Sequence, residues 1–173
     1  MAIAMALCLF VSFSCNNTST DDEPDIKNEM QVDGEAYPLS GGLLIDWEEV
    51  NNNAADFDLA LYTEGIEINE EGMPVNQGSM IYFDLNSFKS DGFEGGQFNF
   101  GEERGPGVIT GSSLIIDNDG NPNNVPAAAY INNGELHVRE NNSVYEVYFQ
   151  LITTDGDRVE GTYVGMLERR TFD

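Results

Sequence analysis

The sequence predicts an all-β fold, either a single antiparallel β-sandwich or a flattened β-barrel, of about ten strands with mostly meander connections. From Gln31 onward, apolar and polar residues alternate with the period of two that half-buried strands show, and no window keeps apolar residues at helical spacing. The 18 glycines concentrate with asparagines between the apolar runs, where turns require positive φ. No unit of about 20 to 50 residues repeats, which argues against a propeller or a solenoid.

The alternation defines the strands individually. In chain order they are predicted at residues 30–32, 36–47, 56–62, 80–86, 97–100, 113–117, 126–131, 135–139, 144–153 and 158–168. The segments 64–78 and 101–111 between them are long and acidic or glycine-rich. Long loops on a rigid β scaffold often carry binding residues, so these two segments are the first places to look for function.

The closing hairpin allows its register to be argued residue by residue. A three-residue loop at residues 154–156 keeps the apolar residues of both strands on one face and places Gly156 at the left-handed position. The expected partners are Leu151 with Val159, Phe149 with Gly161, Val147 with Tyr163, and Tyr145 with Gly165. Phe149 and Tyr145 would then each lie over a glycine whose missing side chain leaves space for the ring.

The N-terminus predicts export. Residues 1–14 are uncharged and almost entirely apolar, which is too short to span a bilayer and typical of a signal peptide. The run ends at Ser14 and Cys15, and this ending resembles the lipobox of bacterial lipoproteins, in which the cysteine is acylated and becomes the first mature residue. The alternative is an ordinary secretory signal with an incidental cysteine.

The predicted domain boundaries follow from this signal. Cys8 lies in the segment to be removed, so the mature chain has no disulfide. Residues 15–29 form a lipidated, flexible and acidic tether, and residues 30–173 form the β-domain. The acidic run at residues 21–25 resembles the surface-export signal of lipoproteins from Bacteroidota, and a plain solvated linker is equally compatible with it.

The charge balance narrows the partners. Seven basic residues against 31 acidic ones give a formal charge of −24, which repels the phosphate backbone of nucleic acids. We therefore expect no nucleic-acid partner, and contact with the membrane through the N-terminal lipid only. We expect the partner to be a glycan or a protein.

His137 is the only histidine, so a zinc site built from several histidines is excluded, and we do not expect His137 to act as the base of a Ser-His-Asp triad. It alternates with Leu136 and Val138 and should point to solvent, and a two-residue turn at Asn141 and Asn142 would place it opposite Glu146.

Residues 117–124 are the one stretch that suggests a cation. Asp117, Asn118, Asp119 and Asn121 offer oxygen ligands suited to calcium. The EF-hand is excluded because proline and alanine occupy its glycine and glutamate positions. A polar connection between strands is the alternative, so we assign no metal and no cofactor.

Four segments together resemble a type of small lipoprotein encoded by Bacteroidota. They are VDGEAYPLSGG (32–42), FDLALYTEGI (57–66), IYFDLNS (81–87) and the closing NGELHV…YEVYFQLITTDGDRVEGTYVGML (133–167). The resemblance implies a lipid-anchored β-domain at the outer membrane and supplies no catalytic or ligand residues.

We therefore expect an outer-membrane lipoprotein that acts as a non-enzymatic binding or interaction module, on the cell surface or the periplasmic face. One alternative is a calycin-like binder of a small apolar ligand, which would require an interior cavity. Another is a glycan-binding accessory lipoprotein, in which Trp47, Tyr62 or Tyr148 would stack on a sugar. An enzyme, for example a glycosidase, would require convergent carboxylates in a cleft with perturbed pKa values.

The lipobox yields the first testable prediction. Cys15→Ala should abolish metabolic labelling with palmitate, because the only other cysteine, Cys8, lies in the cleaved segment. Undiminished labelling, or a mature N-terminus at another residue, would contradict this assignment.

Overall fold

The computed structural model describes residues 27–69, 74–121 and 126–172, and every regular element in these ranges is a β-strand. Numbered in chain order, the strands are β1 (Glu29–Val32), β2 (Glu35–Asn51), β3 (Ala54–Thr63), β4 (Glu67–Ile68), β5 (Pro74–Val75), β6 (Gln77–Asn86), β7 (Gly96–Phe100), β8 (Val108–Asp119), β9 (Ala129–Asn141), β10 (Val144–Thr153), β11 (Arg158–Gly165) and β12 (Glu168–Thr171). The prediction of an all-β domain is confirmed.

Nine of these strands close into a barrel. The hydrogen-bonded order is β1-β11-β10-β9-β7-β8-β6-β3-β2, and β1 pairs with β2 to complete the ring. Most neighbours are antiparallel, whereas β7 with β8 and β12 with β2 are parallel pairs. Of the two predicted architectures, the flattened barrel is the one observed.

The barrel is flattened because side chains from opposite walls meet inside it. Phe83 on β6 and Phe149 on β10 lie four strands apart around the ring, yet their ring centroids are 5.8 Å apart. At one end Phe93, from the segment between β6 and β7, packs against Phe57 and Phe98 at centroid distances of 5.3 and 6.3 Å. The interior is therefore filled with side chains.

The closing hairpin has the predicted register. Leu151 faces Val159 and Phe149 faces Gly161, and the backbone N–H of Thr153 donates to the carbonyl of Asp157 at 3.0 Å, which leaves three loop residues. One detail differs. The atom closest to a Cβ on Gly165 would be the hydroxyl of Tyr163, two residues earlier on the same strand, rather than Tyr145.

His137 faces solvent as predicted, but its predicted partner across the strands is wrong. It lies opposite Tyr148, and Glu146 lies opposite Arg139, because the turn consists of Asn142 and Ser143 with φ of 51° and 67°. Both registers keep the same side chains inside, so alternation could not separate them. The observed one places Leu136, instead of a glycine, opposite the ring of Phe149.

Several strand bounds also differ from the prediction. The predicted strands 126–131 and 135–139 are one strand, β9, bent at Gly134 (φ 122°), where a Cβ would overlap the backbone of β10. The segment 64–78 contains the β4–β5 hairpin, and β8 begins at Val108 inside the predicted loop 101–111. The predicted strand 158–168 divides into β11 and β12, since the chain leaves β11 after Gly165 and then pairs with β2.

The barrel begins before residue 30. The side chain of Asn28 donates to the carbonyl of Val164 at 3.0 Å and accepts from its N–H at 2.7 Å, and Glu29 is the first residue of β1. Asn28 and Glu29, which the sequence assigned to the tether, thus belong to the barrel. The signal peptide, Cys15 and the rest of the tether lie outside the described residues. Within the described ranges, no helix is long and apolar enough to cross a membrane.

A second, smaller apolar layer covers one outer face of the barrel. Leu43, Ile45, Ala60 and Met80 point outward from β2, β3 and β6 and are nevertheless buried. They are covered by side chains that include Ile68 of β4 and Phe172, which follows β12. We call the outward side of β2, β3 and β6 the covered face.

Gly161 provides a test of the flattened interior. A Cβ at this position would overlap the Phe149 ring and lie 2.7 Å from the backbone oxygen of Glu29. Gly161→Ala should therefore lower the free energy of unfolding by about 1–3 kcal/mol, through overpacking. Urea titration would measure it, with Gly105→Ala as the control because nothing lies within 4 Å of a Cβ there. Equal stability of the two variants would show that the interior has room to spare.

Candidate functional site

Three aspartates converge on the covered face, and the sequence analysis did not identify them. Asp56 and Asp58 point outward from β3, and Asp84 lies directly opposite Asp58 on β6. Asp56 and Asp58 are only 6% and 5% exposed. We call these three residues the aspartate cluster.

Arg104 lies over the cluster and compensates part of its charge. Its guanidinium contacts Asp56 through Nη1, and Nη2 is 3.4 Å from Asp84 Oδ2. Its backbone carbonyl accepts a hydrogen bond of 2.8 Å from the side chain of Asn52 in the β2–β3 turn. Arg104 comes from the glycine-rich segment 101–111, so one of the two predicted functional loops is fastened to the barrel wall by this residue.

Asp58 is held by different donors. The indole Nε1 of Trp47 donates to its Oδ2 at 2.7 Å, and the Tyr82 hydroxyl provides a second hydrogen bond. Burial nevertheless raises the pKa of Asp58 to about 6, and the neighbouring Asp84 and Asp56 add to the rise. Burial also raises the pKa of Asp56, although its hydrogen bond to Arg104 opposes the shift.

The aspartate cluster is better suited to holding a loop against the barrel than to reacting with a substrate. Its carboxylates are convergent and the pKa values of Asp56 and Asp58 are raised, but these two side chains are almost completely buried and Arg104 lies over the cluster. Among the described residues, no group of three or more His, Cys, Asp or Glu side chains is placed to hold a metal ion. The arrangement can fix the loop that carries Arg104 and can respond to protonation.

The opposite side of the barrel has an open outer face centred on Tyr148. A single row of facing residues crosses five strands, from Gln97 through His137, Tyr148 and Thr162 to Glu29. Tyr148 is 41% exposed on the central strand β10, and its ring centroid lies 6.2 Å from that of His137. We call this row and the depressions beside it the Tyr148 face.

Two depressions flank Tyr148, and Tyr148 and Thr162 line both of them. The first, of about 480 Å³, is lined by Lys27, Glu29, Gln31, Tyr148, Glu160, Gly161 and Thr162. The second, of about 360 Å³, is lined by His137, Arg139, Glu146, Val147, Tyr148, Thr162 and Val164. Each has a volume in the range of small-molecule sites, and both open to solvent.

The three aromatic residues predicted as binding candidates do not form one site. Trp47 stacks on Phe172 with centroids 5.3 Å apart, and its indole N–H is committed to the aspartate cluster. Tyr62 packs against the apolar layer of the covered face, with its ring over Gly41. Of the three, Tyr148 is the one that stands on an outer face without a covering element among the described residues.

The remaining candidates have local partners. In the stretch predicted as a possible calcium loop, the side chain of Asn118 donates to the carbonyl of Asn76 at 2.9 Å, and the backbone N–H of Asp117 donates to Ser79 Oγ at 3.0 Å. His137 Nε2 is 3.5 Å from the carboxylate of Glu135 on its own strand. Residues 122–125 of the predicted loop lie outside the described residues.

One signal in the sequence could have revealed the covered face. The run Leu43 to Ile45 is continuously apolar, which is typical of a strand buried on both sides. If the outer side of this sheet is buried, the outward side chains of Asp56 and Asp58 on the neighbouring strand are at least partly removed from water. Their convergence with Arg104 depends on a loop conformation that local patterns do not specify.

Comparisons with known proteins found no match for this chain among family models, curated proteins or solved structures.

Asp58 gives a pH-dependent prediction. Its folded pKa of about 6 lies above the ordinary value of 3.8, so its contribution to stability is fully present below pH 3.8 and is lost as the pH rises through 6. Asp58→Asn removes the ionisation and keeps an acceptor for Trp47. The stability of the variant relative to the unsubstituted protein should therefore increase between pH 4.5 and 7.5, by about 2 kcal/mol.

Urea titrations at four pH values across this interval would measure the difference in free energy of unfolding between the two proteins. Groups that titrate in the same way in both proteins do not contribute to this difference. Asp155→Asn, in the exposed β10–β11 turn, is the matched control and should show a constant difference. A constant difference for Asp58→Asn as well would show that Asp58 ionises normally in the folded protein.

Proposed function

We propose that this protein is a lipid-anchored, non-enzymatic binding module of the outer membrane, and that it binds its partner with the Tyr148 face. The observation that carries the proposal is the contrast between two outer faces of one barrel. The covered face is packed under side chains that include Ile68 of β4 and Phe172, whereas the Tyr148 face presents an aromatic ring between two open depressions.

The filled interior argues against a calycin-like binder. Such a protein holds its ligand inside the barrel, but here Phe83 and Phe149 contact each other across that space. Phe93 packs into one end among Phe57, Phe98 and Tyr145. A ligand would have to displace this aromatic core.

The aspartate cluster supports a non-enzymatic role. A carboxylate pair that acts on a substrate must be able to touch it, and here Asp58 is 5% exposed and bonded to Trp47. Arg104 occupies the outer side of Asp56 and Asp84. These contacts explain the perturbed pKa values as a structural consequence of burial.

Single-cysteine labelling tests the binding face and does not require the ligand to be identified. In a protein whose only remaining cysteine is the lipidated Cys15, Thr162→Cys places one thiol between the two depressions, and Asp155→Cys places one on the exposed turn. With a small membrane-permeant maleimide, the purified protein should label equally at both positions. In intact cells Thr162→Cys should be protected severalfold, because the partner covers it.

Asp155→Cys is the control for reagent access and for thiol reactivity in cells. Equal labelling of both variants in cells would overturn the Tyr148 face as the binding surface. Protection of Asp155→Cys instead would place the partner at the end of the barrel.

A further inference from the structure

We infer that the ligand of the Tyr148 face is an uncharged glycan. This inference rests on the proposed function of the face as a binding surface. The Tyr148 ring would stack on the apolar side of one sugar ring, and the two depressions would receive the sugars on either side.

The aromatic group is placed as a stacking platform. Tyr148 lies on β10, which is hydrogen-bonded to β9 on one side and β11 on the other, so its backbone is fixed. His137 contacts it from one neighbouring strand and Thr162 faces it from the other. A ring held at its edges and exposed by 41% offers a rigid apolar surface at low entropic cost.

The polar groups around the ring match hydroxyl groups. The Gln31 amide donates to Glu29 at 2.8 Å, and the Gln97 amide donates to Glu135 at 3.0 Å. Each of these pairs presents further amide and carboxylate positions side by side. Adjacent hydroxyls of a sugar both donate and accept, so they pair with such donor and acceptor groups.

The charge argues against a polyanionic ligand. The lining of the first depression contains Lys27, Glu29 and Glu160, which sum to −1, and that of the second contains Arg139 and Glu146, which sum to zero with His137 neutral. A chain of −24 with no excess of positive charge here repels a polyanion.

The composition is also unlike the centre of a protein interface. Such centres are depleted in charged residues and enriched in several apolar or aromatic anchors. Exposed apolar groups that line these depressions are limited to Tyr148 and the partly buried Val164. Mixed carboxylates, amides and one aromatic ring suit a polyhydroxylated ligand better.

Native gel electrophoresis in polysaccharide gels tests the inference. The probes are four uncharged polysaccharides, a β-glucan, an α-mannan, a xylan and a galactan, with polygalacturonate as the charged comparison. At least one uncharged polymer should retard the protein relative to an inert reference protein, and polygalacturonate should not. Tyr148→Ala should weaken the retardation about tenfold, and Tyr148→Phe should preserve most of it, because stacking needs only the ring.

Tyr130→Ala is the matched control. Tyr130 is a more exposed tyrosine, at 68%, and lies near the start of β9 away from both depressions, so its loss should leave the retardation unchanged. The retarding polymer should also protect Thr162→Cys from the maleimide, and not Asp155→Cys. Equal effects of Tyr148→Ala and Tyr130→Ala, or stronger retardation by polygalacturonate, would overturn the inference.

The result also separates this inference from the function on which it rests. If no uncharged polymer retards the protein while Thr162→Cys remains protected in cells, the glycan assignment is wrong and the face binds another class of partner. If Thr162→Cys is unprotected in cells as well, the proposed binding face itself is wrong.

Discussion

The contact between Phe83 and Phe149 across the barrel is the constraint on which the rest of the structure depends. It brings two opposite walls together, so the interior has no space for a ligand and acts only as a core. Gly161 makes the contact possible, because its missing side chain leaves room for the Phe149 ring next to β1. The depressions that flank Tyr148 lie on the outside of the barrel, whereas some other barrels hold a ligand within their lumen.

The two outer faces differ in chemistry because only one of them is covered by other described parts of the chain. On one side Phe172, which follows β12, packs with Ile68 on the outward apolar groups, and Asp56 and Asp58 are buried beside them. Carboxylates trapped there need compensation, which Arg104 and Trp47 provide. On the other side no described element lies over Tyr148, and the polar side chains keep their contact with water.

The sequence predicted what depends on alternation and turn length, and failed where a long-range contact decides. The all-β fold, the positions of most strands and the β10–β11 register were correct, since a three-residue loop keeps Leu151 and Val159 on one face whereas a two-residue turn does not. The β9–β10 turn was predicted one residue too early. The predicted and the observed turn place the same side chains inside the barrel, and they differ in whether Leu136 lies opposite Phe149. Closure of the barrel and the Asp56–Arg104 contact join residues far apart in sequence, and no local pattern encodes such pairs.

The position of β1 has a mechanical consequence for any force applied through the N-terminus. Every residue of this strand pairs with β11 on one side and β2 on the other, and Asn28 adds two hydrogen bonds to the backbone of Val164. A pulling force that enters through the N-terminus therefore loads two ladders at once instead of peeling a free edge strand. Such a force would be carried by the closed wall itself, next to the Tyr148 face.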